Sequence, residues 1–424
     1  MIIFFKHIKY NTSVKQIIGL LSANLLGLPL GIITNILVTK YLGPEKFGDY
    51  SFILGVFNFA IIFLSFGLFY SSNRAVLLSN STEKTRRLYG ASYIITLFLF
   101  LLISFVVVGY ALFSTNVHEK GLTNELIISL PIGLILLWSK CFEEVLPSSN
   151  QIGILSRIRL YPRVLNLLFA AFVFYYLGKY ELNKVLVIVA LYGMSQLIIF
   201  ISSSFRLRVS FSDLIANVKE ILNFNKSYGF NVYIGALFAS GFSALTEILI
   251  SQFGSNNTGV GYYSLATTLS MPVLFIPATI ATTHYKDFET QSFIPAKLIR
   301  ATLLISFISI VGLWLVIPPF VYYFYGEAFA PVIRVNFFVS IGVLLCGLAD
   351  FINRFLCAKG AGKELRNASF IVGFCVMASN LLLIPKWGEY GAAYAKIVSG
   401  VILVLTEIYY YKRIISREKT KIHN

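Results

Sequence analysis

The stretch Asn35-Ile-Leu-Val-Thr-Lys-Tyr-Leu-Gly-Pro-Glu-Lys-Phe-Gly-Asp-Tyr-Ser51 leaves one apolar segment, passes a short turn containing glycine and enters another apolar segment. Half a chain length further on, Glu247-Ile-Leu-Ile-Ser251 and Gly261-Tyr-Tyr-Ser264 echo its first and last parts in the same order. A chain of 424 residues that returns to one pattern at its midpoint is built as two similar halves. In membrane carriers such halves flank the substrate path, so the repeat bears on function as well as on architecture.

Composition places both halves in a bilayer. Hydrophobic residues make up 57% of the chain, charged residues only 13%, and the mean hydropathy is +0.76, more apolar surface than a soluble domain buries. About 20 apolar residues are needed to cross a hydrocarbon core. Windows of that length give twelve spans, near 17–39, 51–70, 90–113, 125–142, 159–178, 184–204, 228–250, 263–283, 301–325, 331–353, 366–385 and 391–411. The expected fold class is therefore all-α and integral to the membrane. The fourth span is the weakest, being short and running into Lys140. The first apolar stretch is longer than a signal-peptide core and no small-x-small site follows it, so it is expected to be retained. Cys141, Cys346, Cys357 and Cys375 have no metal-ligand spacing and read as buried thiols.

Charge tests the span count. With the N-terminus inside, most of the 35 Lys and Arg fall on inner connections or the tail, and only Lys40, Lys46, Lys120, Lys179, Lys184, Arg334 and Lys386 lie outside. That satisfies the positive-inside rule and makes the net charge of +16 a matter of topology, not of nucleic-acid binding. Six spans per half is even, so the halves are parallel repeats with both termini cytoplasmic. The expected division is an N-lobe over 1–205, a cytoplasmic linker over 206–226 and a C-lobe over 227–424 with a basic tail. Within the linker, Leu214, Ile215, Val218, Ile221 and Leu222 recur at helical spacing among Asp213, Lys219 and Glu220, as in an amphipathic helix on the inner surface.

The outer connections are short, with no room for a catalytic domain carrying paired carboxylates, and no GxxxxGK[ST] loop is present for ATP. Neither a catalytic group nor a metal or cofactor site emerges, and the chain reads as a secondary transporter. Coupling to a proton or sodium gradient or to the membrane potential is left open by the residues.

Interrupted helices at corresponding positions of two halves point to the substrate path. Gly27, Pro29 and Gly31 interrupt the first span, Gly235 and Gly241 the seventh, and Pro29 removes a backbone hydrogen bond at mid-membrane. Ionisable side chains within spans are costly and mark function by default. Lys396 sits about two turns into span twelve and Glu247 near the outer end of span seven. Arg74 follows span two and Arg163 lies just inside span five, while Asp350 and Arg354 are spaced as an i,i+4 pair. Asn24 and Asn35 of the first span complete the candidate set, as partners for hydroxyl groups. Tyr262, Tyr263 and the run Tyr409 to Tyr411 fit interfacial aromatic belts.

Tyr41-Leu-Gly-Pro-Glu-Lys-Phe-Gly-Asp-Tyr-Ser51 resembles the signature of the Wzx-type O-antigen and polysaccharide flippases of the MOP superfamily. Gly259-Val-Gly-Tyr-Tyr-Ser-Leu-Ala266 is similar to that family's second-half counterpart, and Asn380-Leu-Leu-Leu-Ile-Pro-Lys-Trp-Gly-Glu-Tyr-Gly-Ala-Ala-Tyr-Ala395 to its junction between spans eleven and twelve. The resemblance implies a MATE-like arrangement of two six-helix lobes around a cationic central cavity. It implies a polyprenyl-diphosphate-linked oligosaccharide substrate, carried from the cytoplasmic to the periplasmic leaflet of the bacterial inner membrane by alternating access. Lys396, Arg74 and Arg163 are the cations it would use, and the implied partners extend to the polysaccharide polymerase and chain-length machinery. One departure is Glu247, where the family often carries Asp. The alternative is a MATE-type multidrug exporter coupled to protons or sodium. Such an exporter wants a carboxylate buried in a lobe, and the first-half spans hold only Glu125, at an outer edge.

Overall fold

The computed structural model describes the main chain over residues 12–177 and 182–423, with side chains there except at 12–25, 177, 239–240, 286 and 417–423. Every regular element among the described residues is helical, because only a helix closes all backbone hydrogen bonds within one segment in hydrocarbon. Two long helices are each broken by one glycine. In α1 (Thr12–Leu64) the main chain leaves helical geometry at Gly43, with φ 75° and ψ 173°, a region that residues with a Cβ rarely enter. In the last helix, Gly362–His423, the break is at Gly388, with φ 53° and ψ −128°. These breaks separate span one from two and span eleven from twelve.

Between them follow α2 (Leu68–Leu77), α3 (Thr82–Phe113), α4 (Thr115–Glu119), α5 (Thr123–Ile128), α6 (Leu130–Val145), α7 (Ile152–Phe172), α8 (Lys184–Leu207), α9 (Leu214–Phe224), α10 (Phe230–Ala236), α11 (Phe242–Phe253), α12 (Thr258–Thr283), α13 (Tyr285–Thr290), α14 (Ala296–Phe324) and α15 (Pro331–Ala358). The last helix is α16. Eight of the described helical segments are long and apolar enough to cross a membrane. Dividing α1 and α16 at their glycines, and adding the α5–α6 pair and the pieces of span seven, accounts for the twelve expected spans among the described residues. The chain is a multi-pass membrane protein. Side chains such as Phe105 and Phe113, 79% and 87% exposed, present the apolar surface that lipid covers.

The chain forms two compact units, Met1–Leu42 with Val56–Ile234 and Gly43–Gly55 with Gly235–Asn424. In the first, an aromatic group packs between α3, α6 and α8, with the rings of Trp138 and Phe200 stacked at 4.0 Å and Tyr93 and Phe142 beside them. The linker helix α9 docks here through Asn217 and Ile221, both fully buried. Its Glu220 and Asn217 accept from the Lys84 ammonium at 2.5 and 3.0 Å, and Arg87 pairs with Asp213 just before the helix. The linker's apolar residues do not share one face, for Ile215 and Leu222 point away from the core.

In the second unit small residues let helices touch, as is usual where lipid gives no hydrophobic drive between them. A Cβ on Gly342 would lie 2.7 Å from the Lys396 main chain, and one on Gly347 would lie 3.0 Å from the Leu274 carbonyl. Phe288, Phe351 and Phe355 fill the core between α13 and α15. Segment Gly43–Gly55, which carries the first copy of the repeated motif, belongs to this unit and packs on the second copy. There Asn257 donates to Asp49 at 2.9 Å and accepts from Ser251 at 2.7 Å, while Phe47 meets Phe329 edge-on.

Two expectations need correction. Cys357 is exposed, since it falls in the last turn of α15 where the helix emerges. Tyr263 and Tyr410 do not stand in an interfacial belt but are buried, Tyr263 beside the half-buried Tyr262 on α12 and Tyr410 in the core with Phe355 and Ile414.

Candidate functional site

The residues singled out in the sequence divide between the two units. In the first unit Arg163 follows Pro162 within α7, and its side chain lies over Gly27 of α1. A Cβ on Gly27 would stand 1.7 Å from the Arg163 Nη1, so the missing side chain at Gly27 is what gives the guanidinium its place. Arg74, in the last turn of α2, lies 5.6 Å from the centre of the Tyr228 ring, in the range of a cation–π contact. Asn35 is half-buried on α1, and its carbonyl accepts from the Thr39 hydroxyl at 2.7 Å. Asn24 lies on α1 with its side chain outside the described residues. Helical dihedrals continue through Gly27, Pro29 and Gly31, and the only break in α1 is at Gly43.

In the second unit Glu247 on α11 is hydrogen-bonded to Ser264, and its carboxylate lies close over Gly55, 2.5 Å from where a Cβ would be. Lys396 on α16 is half-buried, with its main chain against Gly342. Both are within electrostatic reach of the buried Tyr263 on α12. Span seven, expected to be interrupted at Gly235 and Gly241, carries two π-helical turns, Asn225–Gly229 and Leu237–Gly241. Such turns widen a helix and free a carbonyl, and they recur at functional positions.

Sequence reasoning passed over Glu407. It lies within span twelve, is 1% exposed, and accepts from the Asn353 amide at 3.0 Å through one oxygen while the other has no partner among the described residues. Its position inside an apolar run was the available signal. The Asp350–Arg354 pair forms as its spacing predicts, at 2.9 Å, one turn from Asn353. Among the described residues no group of three His, Cys, Asp or Glu could hold a metal ion. The chemistry on offer is guanidinium and ammonium groups held among apolar helices, suited to anionic oxygens.

Residues 13–285, more than half of the chain, match a family described as polysaccharide biosynthesis protein. The chain belongs to that family. The capsular polysaccharide biosynthesis protein CapF of Staphylococcus aureus is 22% identical over 408 residues, spanning 92% of this chain and 97% of CapF. Among solved structures, the lipid II flippase MurJ in an inward closed conformation matches with a TM-score of 0.73 at 16% identity, over 92% of this chain and 86% of that one. An inward-facing multidrug resistance MATE family transporter of the MOP superfamily matches with a TM-score of 0.70 at 14% identity, over 93% and 96%. At such identities the two structures establish the fold that this family member shares, the twelve-helix MATE-like fold.

Proposed function

We propose that this polysaccharide biosynthesis family member is a flippase, moving polyprenyl-diphosphate-linked oligosaccharide units from the cytoplasmic to the periplasmic leaflet of the inner membrane by alternating access. The observation that carries the reading is family membership in polysaccharide biosynthesis joined to a chain made almost wholly of membrane helices. A biosynthetic pathway whose product leaves the cell needs such a step, because a diphosphate and its sugars cannot shed their water in hydrocarbon unaided. In this reading Arg163, Arg74 and Lys396 supply charge for the phosphates, Asn24 and Asn35 meet sugar hydroxyls, and the chain performs no covalent chemistry. Gly27, Pro29, Gly31, Gly235 and Gly241 are where spans one and seven would bend in passing between the inward-open and outward-open states. The termini face the cytoplasm, and the unit delivered outside is handed to a polymerase.

The membrane potential favours this direction. Carrying two negative charges outward, down an inside-negative potential, releases about 4.6 kcal/mol per 100 mV, so an ion gradient adds to the drive without being required. The test is the amount and leaflet of polyprenyl-diphosphate-linked units in cells lacking the protein, and in cells restored with the wild type or with Lys396→Ala. Single units should accumulate on the inner leaflet without the protein and clear on restoration, with Lys396→Ala clearing them at least tenfold more slowly. Unchanged lipid pools together with new sensitivity to cationic drugs would sink the reading in favour of the multidrug exporter.

A further inference from the structure

A cleft of about 450 Å³ opens in the first unit between the end of α2, the start of α3, the turn after α6 and the end of α8. This is the volume range of small-ligand sites, and the cleft is separate from every residue assigned to transport above. Its lining joins hydroxyl and carboxamide groups and two guanidinium groups, Arg86 and Arg206, to the apolar Val76, Leu77 and Leu207, and holds no carboxylate. The frame is already hydrogen-bonded: Ser79 and Thr85 join at 2.6 Å, the Tyr89 hydroxyl donates to Ser149 at 2.6 Å, and Ser81 caps α3 by accepting from the Lys84 amide at 3.1 Å. None of those bonds uses the side chains of Arg86, Arg206 or Gln151.

Charge distribution within one turn of α3 sharpens the point. Lys84 and Arg87 are paired with carboxylates of the linker and of their own helix, whereas Arg86 has no ion pair among the described residues and lines the cleft. Arg86 and Arg206, neither of them in an ion pair among the described residues, stand at one cavity with the N-terminus of a 32-residue helix opening beside them, an arrangement for an anion with several oxygens. Leu77, 52% exposed, forms part of the same wall and gives the cleft an apolar rim.

We propose that this cleft binds a phosphorylated, hydroxyl-bearing headgroup, with Arg86 and Arg206 taking the phosphate oxygens and the amide and hydroxyl groups taking the polyol. Such a headgroup reaches the cleft either on a membrane lipid, whose chains would leave over Leu77, or as a free sugar phosphate. The test uses the full chain in phosphatidylcholine nanodiscs and native mass spectrometry. The lipid-borne probe is phosphatidylglycerol doped into the disc, and the free probe is UDP-glucose. Wild type should retain one or both, and retention should fall about tenfold for each arginine in Arg86→Gln and Arg206→Gln, the worth of one charge-assisted hydrogen-bonding partner. Asn80→Asp, which places a carboxylate on the exposed lip, should weaken retention without touching either arginine. Retention of the lipid alone or of UDP-glucose alone supports the site and identifies its source. The proposal is overturned if neither probe is retained, or if variants that melt at the wild-type temperature retain both unchanged. Because retention is read without transport, this outcome is independent of the flippase reading.

Discussion

Gly48 has no room for a side chain. A Cβ there would lie 1.8 Å from the Asn257 carbonyl oxygen, a backbone atom that cannot swing aside, and Gly261 faces the Pro44 carbonyl at 2.8 Å from the other copy of the motif. Gly48→Ala should therefore cost about 1–3 kcal/mol or more, read as a lower melting midpoint in detergent, while Gly109→Ala, with nothing within 4 Å, should be neutral or gain up to about 1 kcal/mol. Gly27→Ala is a different case, because the atom in its way is the end of a flexible Arg163 side chain. Its expected effect is a displaced guanidinium: near wild-type stability, slowed clearance of lipid-linked units, and no further loss when combined with Arg163→Gln. Glu407→Gln should keep the Asn353 bond while removing a buried charge whose second oxygen is unpartnered among the described residues. A gain of up to about 3 kcal/mol in stability is expected from thermal unfolding, and an unchanged midpoint would mean that the carboxyl is already neutral.

Among the elements, the linker helix α9 is held by polar contacts as well as by the buried Ile221. Lys84→Ala with Arg87→Ala removes its ion pairs to Glu220 and Asp213, each partly exposed and worth about 0.2–1 kcal/mol. Amide exchange across Leu214–Phe224 should quicken by roughly tenfold while the buried helices are unaffected, the signature of local opening. The helical period of Leu214, Ile215, Val218, Ile221 and Leu222 announced the helix. It did not announce which side docks, since that is decided by where Lys84 and Arg87 stand on α3. At the other end of the chain, Gly388→Ala forces a side chain into φ 53°, ψ −128°, at about 1–3 kcal/mol, and should lower the melting midpoint.

For the whole molecule the cysteines give a direct reading of sidedness. Cys357 is exposed at the end of α15, on the connection placed inside by the distribution of Lys and Arg. A membrane-impermeant maleimide should label it in inverted vesicles and not in intact cells, whereas Lys46→Cys, on the opposite connection, should show the reverse. Labelling of both from one side would break the twelve-span topology. Fold class, span number and the transport reading were legible in the chain because hydrophobic length and Lys/Arg sidedness are local quantities that the bilayer reads segment by segment. Spans four and seven were the harder cases, one divided between α5 and α6 and the other between π-helical turns, since helix breaks of that kind leave little trace in hydropathy. Only the tertiary structure decided that Gly27 makes room for Arg163, that Tyr263 lies within electrostatic reach of both Glu247 and Lys396, that segment Gly43–Gly55 packs with the second half of the chain, and that Arg86 and Arg206 share a cleft. Those facts depend on which faces of distant helices meet, and side-chain packing between residues far apart in sequence sets them, where no local pattern reaches.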